Sequence, residues 1–237
     1  MKMMIRRVVF SFLAAVIFCT ARQAQAQTEK VPYPAMAPVS EYLISDENAE
    51  IALARSAAPA SISDGAEILV LGPHGYTTAV KGTNGFVCLV DRAFLAEFVN
   101  PVFWNPIVRG PDCLNPAAVR SVLPHYLERA KWALTGLSIP QMIERTKAEL
   151  AAKTYVLPEP GAMSFMMSKQ QILSNQGIHW HPHLMFFVAN TSDAAFGANY
   201  PGSPVFHPFP TAPDVYATFL VPVGMWSDGT PAPPMSM

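Results

Sequence analysis

Glu67-Ile68-Leu69-Val70-Leu71-Gly72-Pro73-His74-Gly75-Tyr76-Thr77-Thr78-Ala79-Val80-Lys81-Gly82-Thr83-Asn84-Gly85-Phe86-Val87-Cys88-Leu89-Val90-Asp91 is the stretch from which the fold class is read. It holds three runs of strand length, Glu67 to Leu71, Tyr76 to Lys81 and Phe86 to Asp91, rich in the β-branched and aromatic residues that suit a pleated surface. Gly72-Pro73-His74-Gly75 separates the first two runs and Gly82-Thr83-Asn84-Gly85 the second two. Asn84-Gly85 is a hairpin signal, because both residues tolerate positive φ. The expected unit is a three-stranded meander with His74 at its first turn.

On either side the pattern changes period. Upstream, Ser45-Asp46-Glu47 predicts a helix start running to about Ala57, with Glu50 solvated or paired. Downstream, residues 92–115 read as a long ordered loop rich in aromatics and prolines. Asn115-Pro116 then caps a helical segment to about Leu134, kinked or restarted at Pro124, and Ser138 with Gln141 has capping-box spacing for another helix to about Lys153. Beyond Pro160, Ala162 to Met167, Leu184 to Val188 and Tyr216 to Val221 are again of strand length. Strands, then helices, then strands predict an α+β domain whose mainly antiparallel sheet is built from both ends of the chain around a central helical segment. The expected organisation is a cleaved signal peptide over 1–26, an extended lead-in over 27–40 and one domain over 41–237.

The signal peptide rests on Lys2, Arg6 and Arg7 ahead of an apolar run to Cys19 and a small-x-small site at Ala24-Gln25-Ala26. The apolar run is too short for a comfortable membrane span, and no later run approaches the roughly 20 residues that spanning needs. Removing the segment takes four of the 16 basic residues and leaves 12 against 17 acidic ones, a net charge of −5. That excludes phosphate-backbone binding as the default function, since nucleic acid needs clustered Lys and Arg. Two cysteines remain, Cys88 and Cys113, and in an oxidising exported compartment they are expected to pair.

Chemistry concentrates in His179-Trp180-His181-Pro182-His183, ahead of the apolar run Leu184 to Val188. On an extended backbone, alternate residues share a face, so the three imidazoles would stand together at the strand entrance. Two of them converging on an ion need another ligand; the candidates are His74, His207, His125 and a nearby carboxylate, Asp193 being the nearest in sequence, with His74 and His207 favoured by their Gly/Pro turn context. His125, within a helix after Pro124, reads as structural. The expected cofactor is a divalent metal, zinc or copper, or none. Ile178-His179-Trp180-His181 resembles the first copper motif of multicopper oxidases, but Pro182 stands where that family has Gly and there is no His-Cys-His motif. The chain also has no GxSxG elbow, P-loop or GxGxxG fingerprint.

Gly72-Pro73-His74-Gly75-Tyr76, the run Lys81 to Val90 and the run His179 to Phe187 together resemble a group of uncharacterised exported bacterial proteins. The resemblance implies export and a shared fold, and carries no activity. Two readings of function follow. One is a metal-dependent enzyme, a hydrolase, in which the ion polarises a bound water. The other is a non-catalytic envelope protein that binds a small molecule or an envelope component and uses its histidines only for hydrogen bonds.

Overall fold

The structure is a computed structural model that describes residues 33–173, 180–189, 191–210 and 216–234. The expected signal peptide, His179 and the Met235–Met237 tail lie outside the described residues. The described residues make one compact unit. Its frame is a seven-stranded sheet of β1 (Glu67–Gly72), β2 (Gly75–Val80), β3 (Val87–Asp91), β4 (Gly110–Leu114), β5 (Met163–Met166), β6 (His183–Ala189) and β7 (Tyr216–Pro222). The strands lie in the order β2-β1-β3-β4-β5-β6-β7, antiparallel except for β1 against β3. The fold is α+β, as the strand and helix pattern predicts.

The expected meander does not form. β1 and β2 make the hairpin, closed at Gly72 and Gly75, but β3 pairs with the far side of β1 and parallel to it, Glu67 facing Val87 and Ile68 facing Cys88. The Asn84-Gly85 turn carries the chain under the foot of β1. The Thr83 and Asn84 amides both donate to the Gly65 carbonyl, at 2.7 and 3.3 Å, and Asn84 Nδ2 donates to the Ile62 carbonyl at 2.7 Å. Gly82 allows this crossing, since a Cβ there would stand 2.3 Å from the Glu67 amide nitrogen. A hairpin signal is local, and here contacts across the chain override it.

Helix α1 (Glu47–Arg55) is capped by Asp46 rather than by the Ser45 hydroxyl; the Asp46 carboxylate accepts from the Asn48 and Ala49 amides. Together with the short α2 (Ala60–Ser63) it covers one face of the sheet, where Ala54, Ala57, Ile68, Cys88, Val90 and Cys113 form a core. Cys88 and Cys113 face each other across β3 and β4 and form the expected disulfide, S–S 2.02 Å. The opposite face carries the larger core under α3 (Pro116–Ser121), α4 (Leu123–Leu134) and α5 (Ile139–Ala151). On α4, Leu123, Tyr126, Ala130 and Ala133 are all buried and recur three and four residues apart, the single stripe that packs on the sheet. Pro124 starts α4 as a separate helix, and the capping box at Ser138 and Gln141 is present.

The connection over 92–115 is not all loop, because its last residues form the buried strand β4. Pro111 is tolerated there because β5 pairs only with Cys113 and Leu114, so the proline lies beyond that ladder.

Candidate functional site

On the larger-core face, β3, β4, β5, β6 and β7 converge on a cavity of about 360 Å³. Asp91 from β3, Gly110 from β4, Met166 from β5, His183 from β6 and Leu220 from β7 form its floor, and Tyr126 and Arg129 of α4 reach in from above. Leu95, Val102 and Val108 of the long connection add apolar wall. Size and lining are those of a small-molecule site, a mostly apolar hollow with a few placed polar groups.

Among the described residues the histidines are not gathered as the metal reading requires. His183 is buried at the start of β6, and its Nδ1–H donates to the His181 carbonyl at 2.8 Å, leaving Nε2 as an acceptor on a ring at the cavity wall. Burial holds its pKa down to about 4, so it is neutral at neutral pH. His181 precedes the strand, lies 6.5 Å from the Trp226 ring, and lines a second hollow with Phe206 and Pro222. His207 reaches the main cavity from a different segment. Its Nδ1 bonds Asp193 Oδ1 at 2.6 Å and its ring packs 5.2 Å from Phe219. His74 is exposed at the β1–β2 turn. Between β1 and β6 lie three strands, roughly 19 Å at about 4.8 Å per step, so His74 cannot share an ion with His183. Among the described residues no group of three or more His, Cys, Asp or Glu side chains could hold a metal ion. His125 is structural, as expected: it stacks 3.7 Å from Tyr155 and bonds the Val156 carbonyl. Two residues of the sequence's set, His183 and His207, therefore meet at one cavity, and His74 and His181 do not join them there.

A pair of acids that the sequence reading passes over lies beside them. Asp91 pairs with Gly110 and Asp112 with Leu89, which makes the two aspartates diagonal neighbours on the cavity face of β3 and β4. Asp112 is fully buried, and neither carboxyl oxygen reaches a protein donor within hydrogen-bond geometry; Ser164 Oγ and Asp91 Oδ1 are likewise unpartnered. Burial first, and for Asp91 the neighbouring Asp112 second, raise both carboxyls, Asp112 to about 7 and Asp91 well above the ordinary carboxylate range. Ser164 and the Cys113 amide pull Asp112 back only in part. Asp91 retains some accessible surface, and it lines the cavity. The sequence signal was there in outline. Val87, Leu89 and Asp91 alternate onto one face, so an acid continues an apolar stripe.

Compared with models of protein families, with curated proteins and with solved structures, the chain finds no match, so the geometry of this cavity is what bears on function.

Proposed function

We propose that this is an exported protein that binds a small organic molecule in the cavity at the β3–β7 end of the sheet, without catalysing its conversion. The observation that carries the reading is the cavity itself: about 360 Å³, walled largely by apolar side chains, with His183, His207, Asp91, Glu97, Arg92 and Arg129 also in its lining. Export is supported by the Cys88–Cys113 disulfide, a bond that persists in oxidising compartments. Among the described residues no helix is long and apolar enough to cross a membrane. His183, tied through Nδ1 to its own chain, serves as a hydrogen-bond acceptor for the ligand, and His207, steadied by Asp193, stands at the rim.

The test uses N-phenylnaphthylamine, an uncharged aromatic dye that brightens in apolar surroundings. Saturable fluorescence at one site per chain is expected, and its loss in Thr218→Trp, which fills the cavity from β7, places the site. Equal fluorescence in both proteins, or none in either, overturns the reading. Metal analysis of untagged protein separates it from the hydrolase: more than about 0.2 metal ions per chain returns the metal-dependent alternative.

A further inference from the structure

Resting on that binding reading, we infer that the ligand carries a cationic amine on an apolar body, with the amine seated against Asp91 and the buried Asp112 behind it. Two acids stand diagonally across β3 and β4 on the cavity face, and neither oxygen of the fully buried Asp112 has a partner within hydrogen-bond geometry, Ser164 and the Cys113 amide easing its burial only in part. An unpaired buried acid is costly, and two side by side are costlier. A positive charge placed at Asp91 relieves both penalties. Placement is possible because Gly110, directly across from Asp91, has no side chain: a Cβ there would come within 3.5 Å of Asp91 Cβ and 2.9 Å of Met166 Cε.

The nearby cations do this work only in part, Arg92 offsetting some of the cost at Asp91. Arg92 is already engaged, its guanidinium bound to Glu50 at 2.9 Å and to the Tyr42 and Val90 carbonyls. Arg129 lies 4.2 Å over the Phe98 ring and donates to the Leu95 and Ala96 carbonyls. A bare metal ion fits poorly, since no third ligand of the usual kinds joins the two aspartates among the described residues, whereas an ammonium needs only acceptors. Leu95, Val102, Val108, Met166 and Leu220 suit an apolar body, and Tyr126, Trp180 and Tyr216 bring aromatic surface that also favours a cation.

Three probes with one body and different heads decide the matter: phenylbutylamine, phenylbutanol and phenylbutyrate, each competing with the dye on the wild-type protein and on Asp91→Asn. The amine is expected to bind at least tenfold tighter than the alcohol, and the carboxylate more weakly than either. In Asp91→Asn the amine is expected to lose at least tenfold while the alcohol keeps its affinity, which also shows that the cavity is intact. Equal affinity of amine and alcohol in the wild type, or an unchanged ratio in the variant, overturns the inference and leaves the binding reading standing. Failure of the dye and all three probes overturns both.

Discussion

Glu50 and Asp112 are both buried acids at the same sheet, one on each side of it, and they are treated in opposite ways. Glu50, on α1, accepts from Arg92 Nη2 at 2.9 Å and from the Leu71 amide at 3.1 Å, and Arg92 spends its remaining donors on carbonyls. Asp112, on β4, meets another acid, Asp91, and no donor within hydrogen-bond geometry, Ser164 and the Cys113 amide relieving it only in part. Consecutive residues in the chain, Asp91 and Arg92, thus belong to the two arrangements, one at the cavity and the other in a closed network. A closed network fixes how α1 and the 3-10 turn near Tyr42 sit on the sheet. An open pair of acids contributes nothing of that kind, and its persistence beside a cavity is what a ligand-binding role explains. The difference teaches that burial by itself does not mark a functional group; burial without partners does.

The contrast can be broken first at the closed network. Glu50→Ala leaves the Arg92 guanidinium buried without its carboxylate, and a loss of about 3–5 kcal/mol of stability is expected in urea unfolding; a loss below about 1 kcal/mol would mean that Glu50 and Arg92 are not a network. At the open pair the sign reverses. Because the folded carboxyl of Asp112 is raised from 3.8 to about 7, it contributes stability that is fully present below pH 3.8 and lost as pH rises to about 7. The slope is about 1.4 kcal/mol per pH unit, roughly 4 kcal/mol over the window. Asp112→Asn should show a shallower slope, the burial of Asp91 supplying what remains, and be more stable than wild type at pH 8. Equal pH profiles would show that Asp112 ionises freely and that the two clusters are alike.

On the α1 side, reducing the disulfide in Cys88→Ser with Cys113→Ser should lower stability by about 3 kcal/mol on the chain-entropy model. The same change should leave dye binding at the cavity unaltered, since the two cysteines face away from it. Loss of binding would join two regions that the contrast separates. The smallest effect concerns His183. Its folded pKa is depressed from 6.5 to about 4, so the stability of the neutral ring is present above pH 6.5 and declines as pH falls toward 4. About 1 kcal/mol should be lost between pH 6.5 and 5.5 relative to His183→Asn, and matching curves would mean that the ring is open to water.

Legibility in the sequence followed the range of the interactions. Strand positions in residues 67–91 and 162–221 were readable, because alternation and β-branched content are properties of neighbours in the chain. β4 was not readable: Gly110-Pro111-Asp112 looks like a turn, and only pairing with β3 makes it a strand. The helix caps at Asn115 and Ser138 were readable for the same reason that the strands were. Among the site residues, the histidine segment drew attention because His179, His181 and His183 alternate, but the ring of His183 folds back on the His181 carbonyl, and His74 is placed across the sheet. The cavity's acids escaped notice since one closes an apolar strand and the other sits in an apparent loop.

By itself the sequence determined the α+β class, six of the seven strands, the longer helices and the pairing of Cys88 with Cys113, because alternation, capping residues and the count of cysteines act over short distances or leave one choice. Only the tertiary structure decided that β3 crosses under β1 to lie parallel beside it, and that Asp91, Asp112, His183 and His207 share one end of the sheet. Strand order depends on contacts such as Gly82 against the Glu67 amide, between segments whose meeting no local pattern records. The cavity depends on that order in turn, since five strands must converge before its walls exist.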